Sequence, residues 1–257
     1  MRIQAENRCD TVNIHKMPNQ SGLWKSARSR KMRGAIPYVA GERMSIQIVT
    51  IVSEPFAENS YLVCKDRSRE AFVIDPGFQP ELIREAIDEH DLILVAIVCT
   101  HGHCDHIAGN AALKQAYPDV PIIIGAGDAD MLTDPMKNLS ALYGFDVVSP
   151  PADRLVKEGE SLTVAGVTMD VFDIPGHSPG HVVYILRDTH PTLVLGGDVL
   201  FRGSVGRTDF PSGSFDQLEQ NIHRVLWPLP DDTVVYPGHG PVTTTGHEKH
   251  TNPFLAD

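Results

Sequence analysis

Metal-binding side chains are concentrated in the segment Thr100-His101-Gly102-His103-Cys104-Asp105-His106. Further side chains of the same types follow in short loops: the two histidines of Pro-Gly-His-Ser-Pro-Gly-His at 175–181, Asp198 in Gly-Gly-Asp, and His239 in Pro-Gly-His-Gly. Imidazole nitrogen and carboxylate oxygen are ligands for zinc, iron or manganese. Seven such ligands, counting one of the two histidines at 175–181, suffice for two ions, which can share one hydroxide, a strong nucleophile at neutral pH. The pattern therefore predicts a metallohydrolase.

The spacing within the first segment divides its side chains between two ions. Residues two apart on an extended chain point the same way, so His101 and His103 can reach one ion. Asp105 and His106 lie where the chain turns into a helix and can address a neighbouring ion. The segment 175–181 offers both His177 and His181, and the local sequence does not decide between them.

The elements that must position these side chains alternate strands with helices from residue 44 onward. Apolar runs bounded by turn signals predict strands at 45–51, 60–64, 71–74, 92–99, 121–124, 155–156, 161–164, 167–174, 182–186, 192–195 and 233–236. Helical spacing predicts helices at 80–89, 107–117 and 215–226, and a loose helical or irregular stretch at 128–142. Each group of ligands then follows the end of a strand. The two halves repeat a sheet-then-helix order, which predicts an α/β fold, a four-layer αββα sandwich with the ligands along one edge.

The charge and the apolar content of the chain limit the kinds of partner that it can bind. The 257 residues carry a formal charge of −11, which argues against nucleic acid as a partner, and the longest wholly apolar run, at 92–99, is too short to cross a membrane. Four cysteines without a C-x-x-C pair indicate a reducing compartment, with the cytoplasm as the expected location. The oligomeric state cannot be predicted.

The first 43 residues differ from the rest of the chain. They hold nine Lys or Arg against three Asp or Glu and show no helical or strand periodicity. They are interpreted as a disordered basic extension, or as the result of a misplaced start with Met44 as the initiator; Glu6 and Asp10 count against a targeting segment. Residues 44–257 are predicted to form the hydrolase domain.

The motif Thr-His-x-His-x-Asp-His, followed by a spaced His, Asp and His, resembles that of the metallo-β-lactamase fold superfamily. Within it the chain is most similar to the type II glyoxalases, the hydroxyacylglutathione hydrolases, in a short form. Only eighteen residues follow His239, whereas full-length members carry a helical C-terminal domain that helps to bind glutathione. The resemblance covers residues 45–255 and implies the αββα fold independently of the element pattern.

The resemblance also implies roles for individual residues. His177, not His181, corresponds to the ligand, which gives a first ion bound by His101, His103 and His177, a second bound by Asp105, His106 and His239, and Asp198 bridging both. His181 is then a supporting or helix-start residue. Asp75 resembles an aspartate that orients a ligand histidine, although capping of its own turn explains it equally well. Asp198 stands where β-lactamases of this fold commonly carry Cys, which favours the glyoxalase-like branch.

The expected reaction is hydrolysis of an anionic thioester such as S-D-lactoylglutathione by a hydroxide shared between two divalent ions, zinc foremost, with iron or manganese as alternatives. Asp105 and Asp198 fix the hydroxide. The family's cation after the bridging aspartate is present as Arg207, which either contacts the substrate anion or forms an ion pair with Asp209. Residues 130–153 are expected to form a mobile flap that selects the substrate.

Other activities share this chemistry. The run Gly-Arg-Thr-Asp-Phe at 206–210 also resembles that of the persulfide dioxygenases, which use one iron and would hold it here with His101, His177 and Asp198. His181 and the complete second ligand set favour a hydrolase over that alternative. Lactonase or broader acyl hydrolase activity would use the same ligands.

Overall fold

The structure is a computed structural model that describes residues 45–255. The predictions for residues 1–43 and for Met44 lie outside the described residues. The strands are β1 (Ile46–Ser53), β2 (Glu58–Lys65), β3 (Glu70–Ile74), β4 (Ile93–Val98), β5 (Ile122–Gly125), β6 (Arg154–Val156), β7 (Ser161–Val164), β8 (Val167–Asp173), β9 (Val182–Leu186), β10 (Leu193–Gly197), β11 (Leu200–Phe201), β12 (Ser204–Val205), β13 (Val234–Pro237) and β14 (Thr243–Thr244). The helices are α1 (Pro80–Glu89), α2 (Cys104–Ile107), α3 (Asn110–Ala116), α4 (Phe215–Val225) and α5 (Thr245–Thr251), with 3₁₀ helices at Ala126–Thr133 and Ser140–Tyr143.

Two six-stranded sheets and one small hairpin account for these strands. The first sheet has the order β1-β2-β3-β4-β5-β6, and the second has the order β14-β13-β10-β9-β8-β7. Strands β3 to β6 run parallel, and β10 runs parallel to β13. The hairpin β11-β12 stands apart from both sheets. Each half of the chain therefore builds one sheet.

Three apolar clusters separate four layers. One lies between α1 and α3 and the outer face of the first sheet, a second lies between the two sheets, and a third lies between the second sheet and α4. Strand β9 shows how one strand serves two layers: Tyr184 belongs to the cluster between the sheets, while Val183 and Ile185 belong to the cluster under α4. Because both of its faces are buried, the strand is apolar throughout. The predicted αββα sandwich is confirmed.

Most predicted elements are present, with two kinds of difference. The helix predicted at 107–117 begins later, as α3, and is preceded by the separate short helix α2; between them the N–H of Gly109 donates to the carbonyl of Pro76 at 2.8 Å instead of continuing α2. Elements β11, β12, β14 and α5 were not predicted. The three strands have two residues each, too few for a pattern, and the seven residues of α5 carry no apolar stripe.

No helix among residues 45–255 is long and apolar enough to cross a bilayer.

Candidate metal centre

The seven predicted ligands meet at one edge of the sandwich, beyond the ends of four strands. His101 and His103 follow β4, and Asp105 and His106 lie in α2 immediately afterwards. His177 lies in the loop after β8, Asp198 directly follows β10, and His239 lies two residues after the end of β13. Strand ends from both sheets open at this edge, so residues more than a hundred positions apart come into contact.

The first group consists of His101, His103 and His177. The Nδ1 atom of His103 lies 2.8 Å from Nε2 of His177, which lies 3.3 Å from Nε2 of His101. All three side chains are buried. Ligand atoms bound tetrahedrally to zinc lie about 3.4 Å apart, so these nitrogens can face one ion.

The second group consists of Asp105, His106 and His239. Oδ2 of Asp105 lies 3.7 Å from Nε2 of His106 and 3.2 Å from Nε2 of His239. The three ligand atoms again lie within the span of one coordination sphere. The two groups share no residue, so the edge has the donors for two ions.

Asp198 lies between the groups. Its Oδ1 is 3.4 Å from His106 Nε2, whereas its Oδ2 is 3.5 Å from His177 Nε2 and 3.5 Å from His239 Nε2. One carboxylate therefore faces a member of each group, as a bridging ligand must.

The second nitrogen of most of these imidazoles is engaged by the protein. His177 Nδ1 faces the carbonyl oxygen of Arg207 at 2.8 Å, and His239 Nδ1 faces that of Phe56 at 3.2 Å. His101 Nδ1 lies 3.1 Å from the hydroxyl of Thr100. Such contacts fix the orientation of a ring and direct its other nitrogen to the ion. Here they leave Nε2 facing the centre.

Asp75 and His181 support the ligands without joining them. Asp75 accepts from the N–H and the hydroxyl of Thr100, each at 2.7 Å, and its Oδ2 lies 3.1 Å from His106 Nδ1. Its carboxylate thus contacts His106 and Thr100, the residue immediately before His101, rather than its own turn. His181 Nε2 accepts from the N–H of Asp198 at 3.0 Å. The helix-start alternative for His181 is wrong, because the residue precedes strand β9.

The pKa shifts follow the two kinds of environment. Burial lowers the pKa of His101 and His177, and that of His103 to about 3, so these rings are neutral with a free lone pair. Burial acts the same way on His106 and His239, but the carboxylates of Asp105 and Asp198 outweigh it and raise both pKa values. The same negative field favours a divalent cation.

The centre also has the shape of an ion site. Among the described residues, His106 Nε2 and Asp198 Oδ1 are buried without a hydrogen-bond partner, and they face each other. Leaving such atoms unpaired costs about 1–3 kcal/mol each, a cost that coordination would remove. A Cβ at Gly238 would collide with Asp198 Oδ1 and His106 Cε1. The donor set therefore fits divalent metal ions.

Arg207 lies at the rim of the centre. Its guanidinium makes two 2.7 Å hydrogen bonds to Asp209 and lies 4.3 Å from the ring centroid of Phe210, which contacts the His103 ring. The ion-pair reading of Arg207 is therefore present in the structure. The Arg207 side chain is 55% exposed and therefore accessible to a substrate anion. Its contact with such an anion stays a prediction.

The predicted flap contributes an aromatic cluster to the same rim. Tyr143 and Phe145, from residues 130–153, pack against Phe56 and Phe78 with ring centroids 5.0–6.1 Å apart. Phe56 is the residue whose carbonyl faces His239.

Sequence reasoning missed several supporting residues. Thr100 lies in the ligand motif, but its contact with Asp75 and the contact of the Phe56 carbonyl with His239 join distant segments, and the sequence carries no signal for either contact. Glu58 is fully buried beside Gly77, and burial raises its pKa. Asp128 contacts two ligand loops. Its position three residues after β5 is a signal that could have identified it, because the ligand loops also follow strand ends.

Comparison with known proteins finds a family and individual relatives that this chain matches. The family described as "Metallo-beta-lactamase superfamily" matches residues 53–239. The chain is 36% identical over 215 residues to a protein of Haemophilus influenzae named hydroxyacylglutathione hydrolase GloC, covering 82% of this chain and 98% of that one.

Two solved structures are similar in sequence and in fold. One is titled BLEG-1 B3 metallo-beta-lactamase, with 37% identity, a TM-score of 0.77, and coverage of 82% of this chain and 100% of the other. The second is TTHA1623 in a di-iron-bound form, with 37% identity, a TM-score of 0.70, and coverage of 80% and 99%.

Proposed function

We propose that this chain, which belongs to the metallo-β-lactamase superfamily and is a metallohydrolase, hydrolyses an anionic thioester such as S-D-lactoylglutathione. The observation that carries the proposal is the position of Asp198 between two complete three-residue ligand groups. His101, His103 and His177 would hold one divalent ion, Asp105, His106 and His239 the other, and Asp198 both. Bound there, two such ions supply a nucleophilic hydroxide near pH 7 and a Lewis acid for the carbonyl oxygen.

The chain's own residues would supply orientation and charge. Asp105 and Asp198 present carboxylate oxygens toward the space between the groups, where they orient the attacking water by accepting its hydrogen bond. Asp75 holds His106, and His181 holds the backbone of Asp198. A thiolate can leave without a general acid from the protein, because solvent can protonate it. The proposed reaction therefore needs no acidic side chain beyond the proposed ligands.

Three features support a small anionic substrate with an apolar part. The relative GloC is named a hydroxyacylglutathione hydrolase. Arg207 offers an exposed guanidinium beside Phe210 at the rim of the first group. The aromatic cluster of Phe56, Phe78, Tyr143 and Phe145 offers apolar surface beside His239.

A β-lactam is the second candidate substrate, because a relative at 37% identity is titled a B3 metallo-beta-lactamase. The ligand groups would activate water in the same way for either carbonyl. The two candidates differ in the leaving group: an amide nitrogen must be protonated as it leaves, whereas a thiolate need not be.

The test is steady-state hydrolysis of S-D-lactoylglutathione by the full chain loaded with zinc or iron. Asp198→Ala is compared with Asp188→Asn, which changes an exposed aspartate in the turn between β9 and β10, whereas Asp198 follows the opposite end of β10. A chromogenic cephalosporin and a persulfide-dependent oxygen-uptake assay are run in parallel.

Thioester hydrolysis that persists in Asp188→Asn and falls in Asp198→Ala by at least about 100-fold, the upper end of what losing an outer contact to a ligand costs, would support the proposal. Cephalosporin hydrolysis without thioester hydrolysis would replace it with the second candidate. Oxygen uptake alone would identify a mononuclear iron dioxygenase. Silence in all three assays would refute the thioester assignment and direct the search to lactones.

A further inference from the structure

Asp128 is a buried carboxylate that none of the proposed catalytic roles uses. It lies in the 3₁₀ helix Ala126–Thr133, directly after β5, and its side chain is inaccessible to solvent. Its oxygens accept three hydrogen bonds: Oδ1 from the N–H of Gly180 at 2.6 Å, and Oδ2 from the hydroxyl of Ser178 at 2.6 Å and the N–H of Gly102 at 3.1 Å. Among residues 45–255 no Lys or Arg forms an ion pair with it.

The three donors belong to the two loops that carry the first ligand group. Gly102 stands between His101 and His103, and Ser178 follows His177. These loops come from different sheets, since one follows β4 and the other follows β8. One carboxylate therefore bonds to both sides of the first group at positions adjacent to its ligands.

The backbone packing around Asp128 makes this contact rigid. A Cβ at Gly180 would collide with the backbone of Gly127 and Asp128, and a Cβ at Gly102 would approach Cβ of Met131 to 2.5 Å. The two loops and the 3₁₀ helix thus meet at van der Waals distance through glycines. Little room remains for the loops to adjust if the carboxylate is changed.

From this geometry we infer that Asp128 is a positioning residue that sets the distance between the His101–His103 loop and the His177 loop, and so tunes metal binding at the first ligand group. The inference rests on the proposed metal centre. The second group is built from α2 and the β13 loop, and none of its members is adjacent to a donor of Asp128. The effect of Asp128 should therefore fall mainly on the first ion.

The variant Asp128→Asn tests the inference. The amide keeps the volume but presents an NH₂ group either to the N–H of Gly180 or to the donors from Gly102 and Ser178, so at least one contact becomes donor against donor. Loss of a contact that orients ligands typically weakens metal binding by about 10–100-fold. Ser178→Ala removes one donor and should produce a smaller loss of the same kind. The control is Asp130→Asn in the same 3₁₀ helix, whose side chain is 84% exposed.

Zinc binding to the full chain is measured by competition with a chromophoric chelator, and thermal unfolding of the metal-free protein is measured alongside. His103→Ala and His239→Ala identify which binding step belongs to which group. The expected result is a 10–100-fold loss in the step that His103→Ala abolishes, less than a threefold change in the other step, and wild-type binding in Asp130→Asn.

Wild-type affinity at the first group in Asp128→Asn would overturn the inference. So would an equal loss at both steps together with a lower unfolding temperature, because that result describes a purely structural residue. If Asp128→Asn does not fold, Ser178→Ala decides: a loss at the first step alone supports the inference, whereas no loss there or an equal loss at both steps overturns it. Failure of the proposed function is recognised separately, because the unmodified chain would then fail to bind two zinc ions or to hydrolyse any of the acyl substrates.

Discussion

Replacement of Asp75 by Asn should weaken the second ligand group without removing any ligand. The carboxylate makes three contacts: Oδ1 accepts from the N–H of Thr100, and Oδ2 accepts from the Thr100 hydroxyl and faces His106 Nδ1. An amide can present only one oxygen. Either the Thr100 N–H or the His106 ring must then face an NH₂ group.

The size of the effect follows from the lost contact. A hydrogen bond to a charged group contributes about 1.5–3 kcal/mol, and 1.4 kcal/mol corresponds to a factor of ten. If the amide turns its NH₂ group toward His106, zinc affinity at the second group should fall by about 10–100-fold. If it turns toward Thr100, the loss should appear instead as about 1.5–3 kcal/mol in the free energy of unfolding of the metal-free protein.

The assay combines zinc competition with urea denaturation of the metal-free chain, and Asp188→Asn is the exposed control. The sum of the two losses, expressed as free energies, should be at least about 1.5 kcal/mol. A variant with zinc affinity within threefold of wild type and unchanged unfolding would refute the role assigned to Asp75. Loss of stability alone would show that the amide oxygen still faces His106 and that its NH₂ group has turned toward the N–H of Thr100.

Two further predictions concern substrate and protons. Arg207→Ala should raise KM for S-D-lactoylglutathione about tenfold with little change in kcat. Asp209→Asn frees the guanidinium and should leave KM unchanged or lower it. If both variants change stability equally and neither changes KM, Arg207 serves the ion pair alone. The metal-free protein should unfold at a lower temperature at pH 5 than at pH 7. Burial lowers the pKa of four histidines in the folded protein: His101, His103, His177 and His181. In the unfolded chain the same histidines take up protons below about pH 6.5, so acid favours unfolding. The raised pKa values of His106 and His239 act in the opposite direction, contributing stability below about pH 6.5 that is lost as pH rises through the folded values, so a higher unfolding temperature at pH 5 would show that the carboxylates dominate.

The sequence by itself determined the fold class and the set of candidate ligands. Apolar runs such as 92–99 and 182–186 identify strands because burial on one or both faces imposes a local pattern. The ligand motif is also local: His101, His103, Asp105 and His106 lie within six residues, and loop signals mark His177, Asp198 and His239. Ligand types and apolar periodicity are properties of short segments, so both can be recognised in the sequence alone.

The tertiary structure decided how those residues are grouped and what supports them. His177 turns its Nε2 to the centre while His181 binds the backbone of Asp198, a distinction that depends on which loop faces the other sheet. Asp128 reaches Gly102 and Gly180 across 26 and 52 residues. No periodicity or spacing encodes such contacts, because they arise only when the ends of strands from two sheets converge at one edge.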